Sequence, residues 1–155
     1  MAVLILSFLL GCVAGLRSLT APAIVCWAVH LGWLHLAGSR LAFIDHPSAL
    51  ILITLLAIVE LVIDKLPKTP ARTAPIGLIA RVVLGGLCGI AVGISLGMNP
   101  SIGALAAALG ALVGAFSGYN LRHVLVSRTH LPDFTVALAE DMIAIVGGLL
   151  IVSHL

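Results

Sequence analysis

SALILITLLAIVELVIDK, residues 48–65, is a run of hydrocarbon side chains broken by two acids, Glu60 and Asp64. Its length approaches the roughly 20 residues that carry a helix across a bilayer. A carboxylate set into hydrocarbon costs about 2.5–3.5 kcal/mol on insertion scales, so such a group is expected to face a protein interior or a water-filled path. Glu60 and Asp64, at i and i+4, project from one helix face. The pattern recurs at the other end of the chain, where the apolar stretch 134–155 carries Glu140 and Asp141 in its first half. Asp141 is turned about 100° around the helix from Glu140, so one of the two is expected to share a site with the first pair.

Composition agrees with this reading. Hydrophobic residues make up 61% of the 155 and charged residues 9%, and mean hydropathy is +1.25. On a water-facing globule those side chains would form apolar patches far larger than soluble monomers carry, so lipid is the expected solvent. A net charge of +2 is too small to imply nucleic acid. No polar low-complexity linker divides the chain, which reads as one membrane domain over 1–155.

Two further spans are read at 76–98, apolar apart from Arg81, and at 102–121, which has no charge. All are expected to be helices, because a lone span must satisfy its own backbone and barrel-type alternation is absent. Residues 2–36 are harder. As one helix they would be about 50 Å long against a core of about 30 Å. Gly15, Arg17, Ser18, Thr20 and Pro22 interrupt them, with Thr20 placed to cap a second helix. A single broken helix is the expectation, and a short hairpin the alternative. The start has no basic n-region and reads as a retained span. The fold class is therefore all-α, a polytopic transmembrane bundle of about five spans.

Loop charge sets the orientation. Lys65, Lys68 and Arg72 follow the second span, and Arg122 and Arg128 follow the fourth, so both loops are expected in the cytoplasm. Five crossings then put the amino terminus inside, and the hairpin alternative puts it outside. Either way Glu60 and Glu140 fall on the order of 7–11 Å inside the cytoplasmic boundary, at 1.5 Å per residue. The segments around them align weakly, as do GCVAGLRSLT and GAFSGYNLRH, which suggests an inverted repeat of halves 1–73 and 101–155 about a central helix 76–98. Gly85, Gly89, Gly93 and Gly97, and Gly110, Gly114 and Gly118, form small-residue stripes suited to close helix packing or to a homo-oligomer seam.

The candidate ion or proton site is Glu60, Asp64, Glu140 and Asp141. Arg17, Lys65, Arg81 and Arg122 are its candidate anion-binding or ion-pair partners, with Arg17 beside amides freed by the helix break. Arg81 is expected to snorkel to the headgroups. Cys12, Cys26 and Cys88 read as small buried hydrophobes. The six histidines have no ligand spacing, and no nucleophile with its base, metal box or phosphate loop is visible; neither enzyme activity nor a cofactor is expected. The loop PKTPARTAP, 67–75, can touch anionic lipid.

GLRSLTAP at 15–22, ELVIDKLPKTPART at 60–73 and AED at 139–141 resemble a widespread bacterial family of small integral membrane proteins described as a domain of unknown function. His123 and Arg128 match the polar loop that precedes the family's acids, whereas Leu131-Pro132 stands where some members have Asn-Pro. The resemblance implies an inner-membrane location and a shared polar core, and it supplies no activity. The expected function is a small transporter or channel-like protein with an intramembrane carboxylate site for cations or protons. The alternative is a noncatalytic membrane scaffold or lipid-binding protein assembled through its glycine stripes. Expected partners are membrane lipids, a small ion or molecule, and a second copy of the chain.

Overall fold

The computed structural model describes residues 1–65, 74–129 and 132–155. Six α-helices follow one another: α1 Ala2–Leu16, α2 Thr20–His30, α3 Pro47–Ile63, α4 Pro75–Ser95, α5 Pro100–Thr129 and α6 Asp133–Ser153, with a single 3₁₀ turn at Ala42–Asp45 before α3. Prolines in the first turn open α3 and α4, a position where the missing N–H has no helical partner to lose. The α4–α5 connection is tight. Gly97 takes a left-handed φ of +66°, Met98 N donates to Gly93 O at 2.8 Å, and Asn99 Oδ1 accepts from Ser101 N at 3.0 Å, capping α5. Helices α4, α5 and α6 are long and apolar enough to cross a membrane.

The spans read at 48–65, 76–98 and 134–155 coincide with α3, α4 and α6 to within a few residues. The span read at 102–121 runs on as helix to Thr129, since nothing between Leu121 and Thr129 breaks a helix. Lys68, Arg72, His130, Leu131 and the Pro67 and Pro70 of the proline-rich loop lie outside the described residues.

The centre is an interlock of α1, α4 and α5. A methyl group at Gly11 would overlap the Ala107 carbonyl, one at Gly15 the Ala111 carbonyl, one at Gly110 the Phe8 carbonyl and one at Gly114 the Cys12 carbonyl. These pairings advance together, so α1 and α5 run parallel. Helix α4 runs antiparallel to both, with Gly89 against Gly103, Gly93 against Pro100 and Gly85 against Ala14 and Ala111. Between them sit fully buried alanines, among them Ala14, Ala91, Ala107 and Ala111. With no hydrophobic drive between helices in lipid, such close backbone approach is what holds a bundle together. Gly85, Gly89, Gly93, Gly110 and Gly114 are thus engaged within the chain, and Gly97 serves the turn rather than a seam.

The single-crossing expectation for residues 2–36 needs correction. Helix α2 folds back beside α1: Val13 and Ile24 flank the same Gly148 of α6, and Pro22, Val25 and Cys26 line one cavity with Leu84, Cys88 and Ala91 of α4. His35 N donates to Ser95 Oγ at 2.8 Å, near the far end of α4, which a straight continuation of α1 would never approach. The reversal falls at Arg17. Its backbone is extended (φ −141°, ψ 111°), its buried side chain is held by partners on other helices, and α2 restarts beyond it in the opposite direction. The hairpin alternative is the observed one.

The inverted repeat needs the same treatment. It would relate GCVAGLRSLT on α1 to GAFSGYNLRH on α5 and set those helices antiparallel, whereas the glycine pairings make them parallel. Six helices alternate in direction instead. One end of the bundle gathers the α1–α2 break, the end of α3 and the first half of α6.

Helix α3 lies at the edge, tied to α2 by Trp27 Nε1 donating to Thr54 Oγ1 at 3.2 Å. A single neutral hydrogen bond contributes about 0.5–1.5 kcal/mol net. Thr54→Val is accordingly expected to lower thermal stability in detergent only slightly, with helix content by circular dichroism unchanged.

Candidate functional site

The break between α1 and α2 leaves the first amides of α2 without helical acceptors. Leu19 stands in the cap position and has no side-chain oxygen to offer. Thr20, expected as the cap, is instead the first helical residue, and its hydroxyl is buried without a hydrogen-bond partner among the described residues. The cap comes from another helix. Glu60 of α3 presents Oε2 to Leu19 N at 2.8 Å, and Oε1 to Ser18 N at 2.8 Å and to Ser18 Oγ. A carboxylate on three donors at the positive end of a helix is a strongly favoured arrangement.

Arg17, whose side chain is 0% exposed, sits beside this cap. Its Nη1 pairs with Asp64 Oδ2 of the α3 end. Its Nε donates to Asp141 Oδ1 of α6 at 2.7 Å, and Nη2 stands 2.5 Å from the same oxygen. Asp141 Oδ2 is met by Lys65 Nζ at 2.7 Å, and that ammonium also lies 6.0 Å from the centre of the Phe134 ring. One guanidinium thus joins the break, α3 and α6. A cation buried this completely is tolerable only because two carboxylates and several hydrogen bonds surround it.

Glu140 lies in a second, adjoining group. Arg122 of α5 grips Asp133 with Nε to Oδ1 at 2.8 Å and Nη2 to Oδ2 at 2.6 Å, and its Nη1 is 3.6 Å from Glu140 Oε2. Glu140 also forms one wall of a cavity of about 560 Å³ between α5 and α6, whose other lining includes Leu16, Ser117, Asn120 and Ile143. Arg81 was expected to reach toward the headgroups. It is buried at 6% exposure and donates from Nη1 to Gly77 O at 3.0 Å, one turn back on its own helix.

The four acids therefore reach one end of the bundle, with a different division from the one expected. The aspartates share Arg17, while Glu60 and Glu140 have separate partners. The amides and guanidinium read as an anion site are already taken by Glu60, Asp64 and Asp141. Ser18, the Leu19 amide and Asp133 were missed. Ser18 carried a faint signal, a hydroxyl inside an interruption next to Arg17; the Leu19 amide carried none. Among the described residues no three His, Cys, Asp or Glu side chains gather closely enough to hold a metal ion. Cys26 and Cys88 are buried and Cys12 half-buried, all as free thiols.

Compared with known proteins, residues 4–154 match the family model described as "Domain of unknown function (DUF4126)". No curated protein and no solved structure matches the chain.

Proposed function

From the premise that the chain belongs to the DUF4126 family, whose description assigns no activity, we propose that it is a small multi-pass transporter or channel-like protein of the bacterial inner membrane, with an intramembrane carboxylate site for protons or small cations. The observation that carries this reading is Arg17, wholly buried and shared between Asp64 and Asp141 on two different helices. A proton or cation arriving at either aspartate competes with the guanidinium and changes which helix Arg17 holds. Differential binding of that kind biases a two-state equilibrium. Glu60 and Lys65 complete the site, and Glu140 with Arg122 forms the adjoining step toward the α5–α6 cavity.

Lys65, Arg122 and Arg128 belong with the polar end of the bundle, so the positive-inside rule assigns that end to the cytoplasm. With six alternating helices both termini then face outward. Helices α1 and α2, of 15 and 11 residues, are about 22 and 16 Å long, short of a full crossing, and act as a hairpin whose polar tip is shielded by α3 and α6.

Purified protein in proteoliposomes under an imposed proton or cation gradient is expected to carry flux that falls at least tenfold in Asp64→Asn and Asp141→Asn. Flux in both equal to wild type would sink the reading. The second reading, a noncatalytic scaffold or lipid-binding protein, draws support from the closed state of the ion pairs. Exchanging charges between Arg17 and Asp64 separates the two: restored folding without restored flux favours transport. Restored folding in a protein whose wild type carries no flux favours the scaffold.

A further inference from the structure

Helix α3 is fastened to the bundle differently from the others. Only Leu50 and Ala57 of its residues are buried, while Ile51, Leu55, Ile58 and Val62 are more than half exposed. In lipid that exposure is neutral, because acyl chains solvate leucine as well as a neighbouring helix does. What holds α3 is therefore mostly polar and mostly at one end: Glu60 across the Ser18 and Leu19 donors, Asp64 on Arg17, and Trp27 on Thr54 further along. Helices α1, α4 and α5 are interlocked backbone to backbone through glycine, with neither Glu60 nor Asp64 in those glycine contacts. Loss of charge at Glu60 and Asp64 thus weakens the attachment of one helix and leaves the central three untouched.

We propose that α3 is a hinged lid, latched by Glu60 and Asp64 over the α1–α2 break, and that neutralising these two carboxylates by a proton or a bound cation releases it and exposes the Arg17–Leu19 donors. The proposal rests on the ion-coupled reading of the same site and names its moving part. The pivot is His46, extended between the 3₁₀ turn and Pro47. Two features make release reversible. Arg17 keeps Asp141 of α6 when Asp64 leaves, so no buried cation is stranded. Lys65, at the end of α3, is the competing partner of Asp141 and travels with the lid.

The test is a pair of distances between spin labels in lipid nanodiscs, in a background with Cys12, Cys26 and Cys88 changed to alanine. Labels at Leu56 and Leu105 report α3 against α5, and labels at Leu87 and Leu109 report α4 against α5. In Glu60→Gln/Asp64→Asn the first distance is expected to shift by about 5 Å or more, the scale of a one-turn helix displacement, while the second stays fixed. An unmoved first distance overturns the lid, and so does an equal change in both, which would mean the charges hold the whole bundle. Should the double variant fail to fold, Glu60→Gln alone, which keeps both Arg17 ion pairs, is expected to broaden the first distance only; no change there overturns the lid. Ion-driven flux with a static α3 removes the lid and spares the transport reading. A moving α3 in a protein without flux does the reverse.

Discussion

Arg17→Met is expected to be the most destabilising charge-removing substitution in the chain. It leaves Asp64 and Asp141 beside the buried space that Arg17 filled, with Lys65, paired to Asp141, the remaining cation partner among the described residues. Breaking a buried ion pair by removing one partner costs about 3–5 kcal/mol, because the surviving charge is left uncompensated. For a domain of this size that corresponds to a fall of roughly 10 °C in apparent Tm, read by thermal unfolding in a mild detergent. Combining Arg17→Met with Asp64→Asn and Asp141→Asn is expected to recover most of the loss, since a neutral cluster of similar volume has no stranded charge. A triple variant as unstable as the single one would mean that the side chain of Arg17 acts through packing rather than charge. Arg122→Gln supplies the contrast. Its main partner, Asp133, is 61% exposed, and pairs of that kind contribute about 0–1 kcal/mol.

Gly110→Ala carries the other large effect. The added methyl would enter the space of the Phe8 carbonyl and approach Cys12 N to 3.0 Å. Backbone cannot rotate aside as a side chain can, so α1 must separate from α5, and the loss spreads along the seam through Gly11, Gly15 and Gly114. Overpacking a well-filled core costs about 1–3 kcal/mol per inserted methylene group, and a backbone clash belongs at the upper end. Gly147→Ala is the control: nothing lies within 4 Å of its added methyl. There the helix preference for alanine over glycine, about 0.8–1.0 kcal/mol in soluble hosts, acts unopposed. The pair is read by thermal unfolding side by side. Equal loss in both variants would show that glycine content, rather than the α1–α5 contact, sets the stability.

Much of the helix inventory was legible in residues 48–65, 76–98 and 134–155, because lipid imposes one rule on any span: bury the backbone hydrogen bonds inside the helix and face hydrocarbon with apolar side chains. The glycine stripes were legible as packing surfaces for the same reason. Their partners were not. Gly89 meets Gly103 across a turn, but Gly110 meets Phe8 from a helix a hundred residues earlier, and spacing within a stripe carries no information about what lies opposite. The path of residues 2–36 was also open. The break at Arg17 could be seen, but its angle depends on which distant groups fasten the loosened turn.

The acids illustrate the same boundary. That Glu60, Asp64, Glu140 and Asp141 must avoid lipid and find polar company followed from the desolvation of a carboxylate, a property each residue carries with it. That Asp141 rather than Glu140 would take Arg17, and that Glu60 would cap a helix to which it does not belong, depended on the rotation of α6 and the placement of α3. Chain chemistry by itself determined a helical membrane protein with sheltered polar groups, since burial energies are local to each side chain. Only the tertiary structure decided the reversal at Arg17, the parallel α1–α5 seam and the pairing of charges, because contact geometry between distant segments is set jointly by every helix that packs around them.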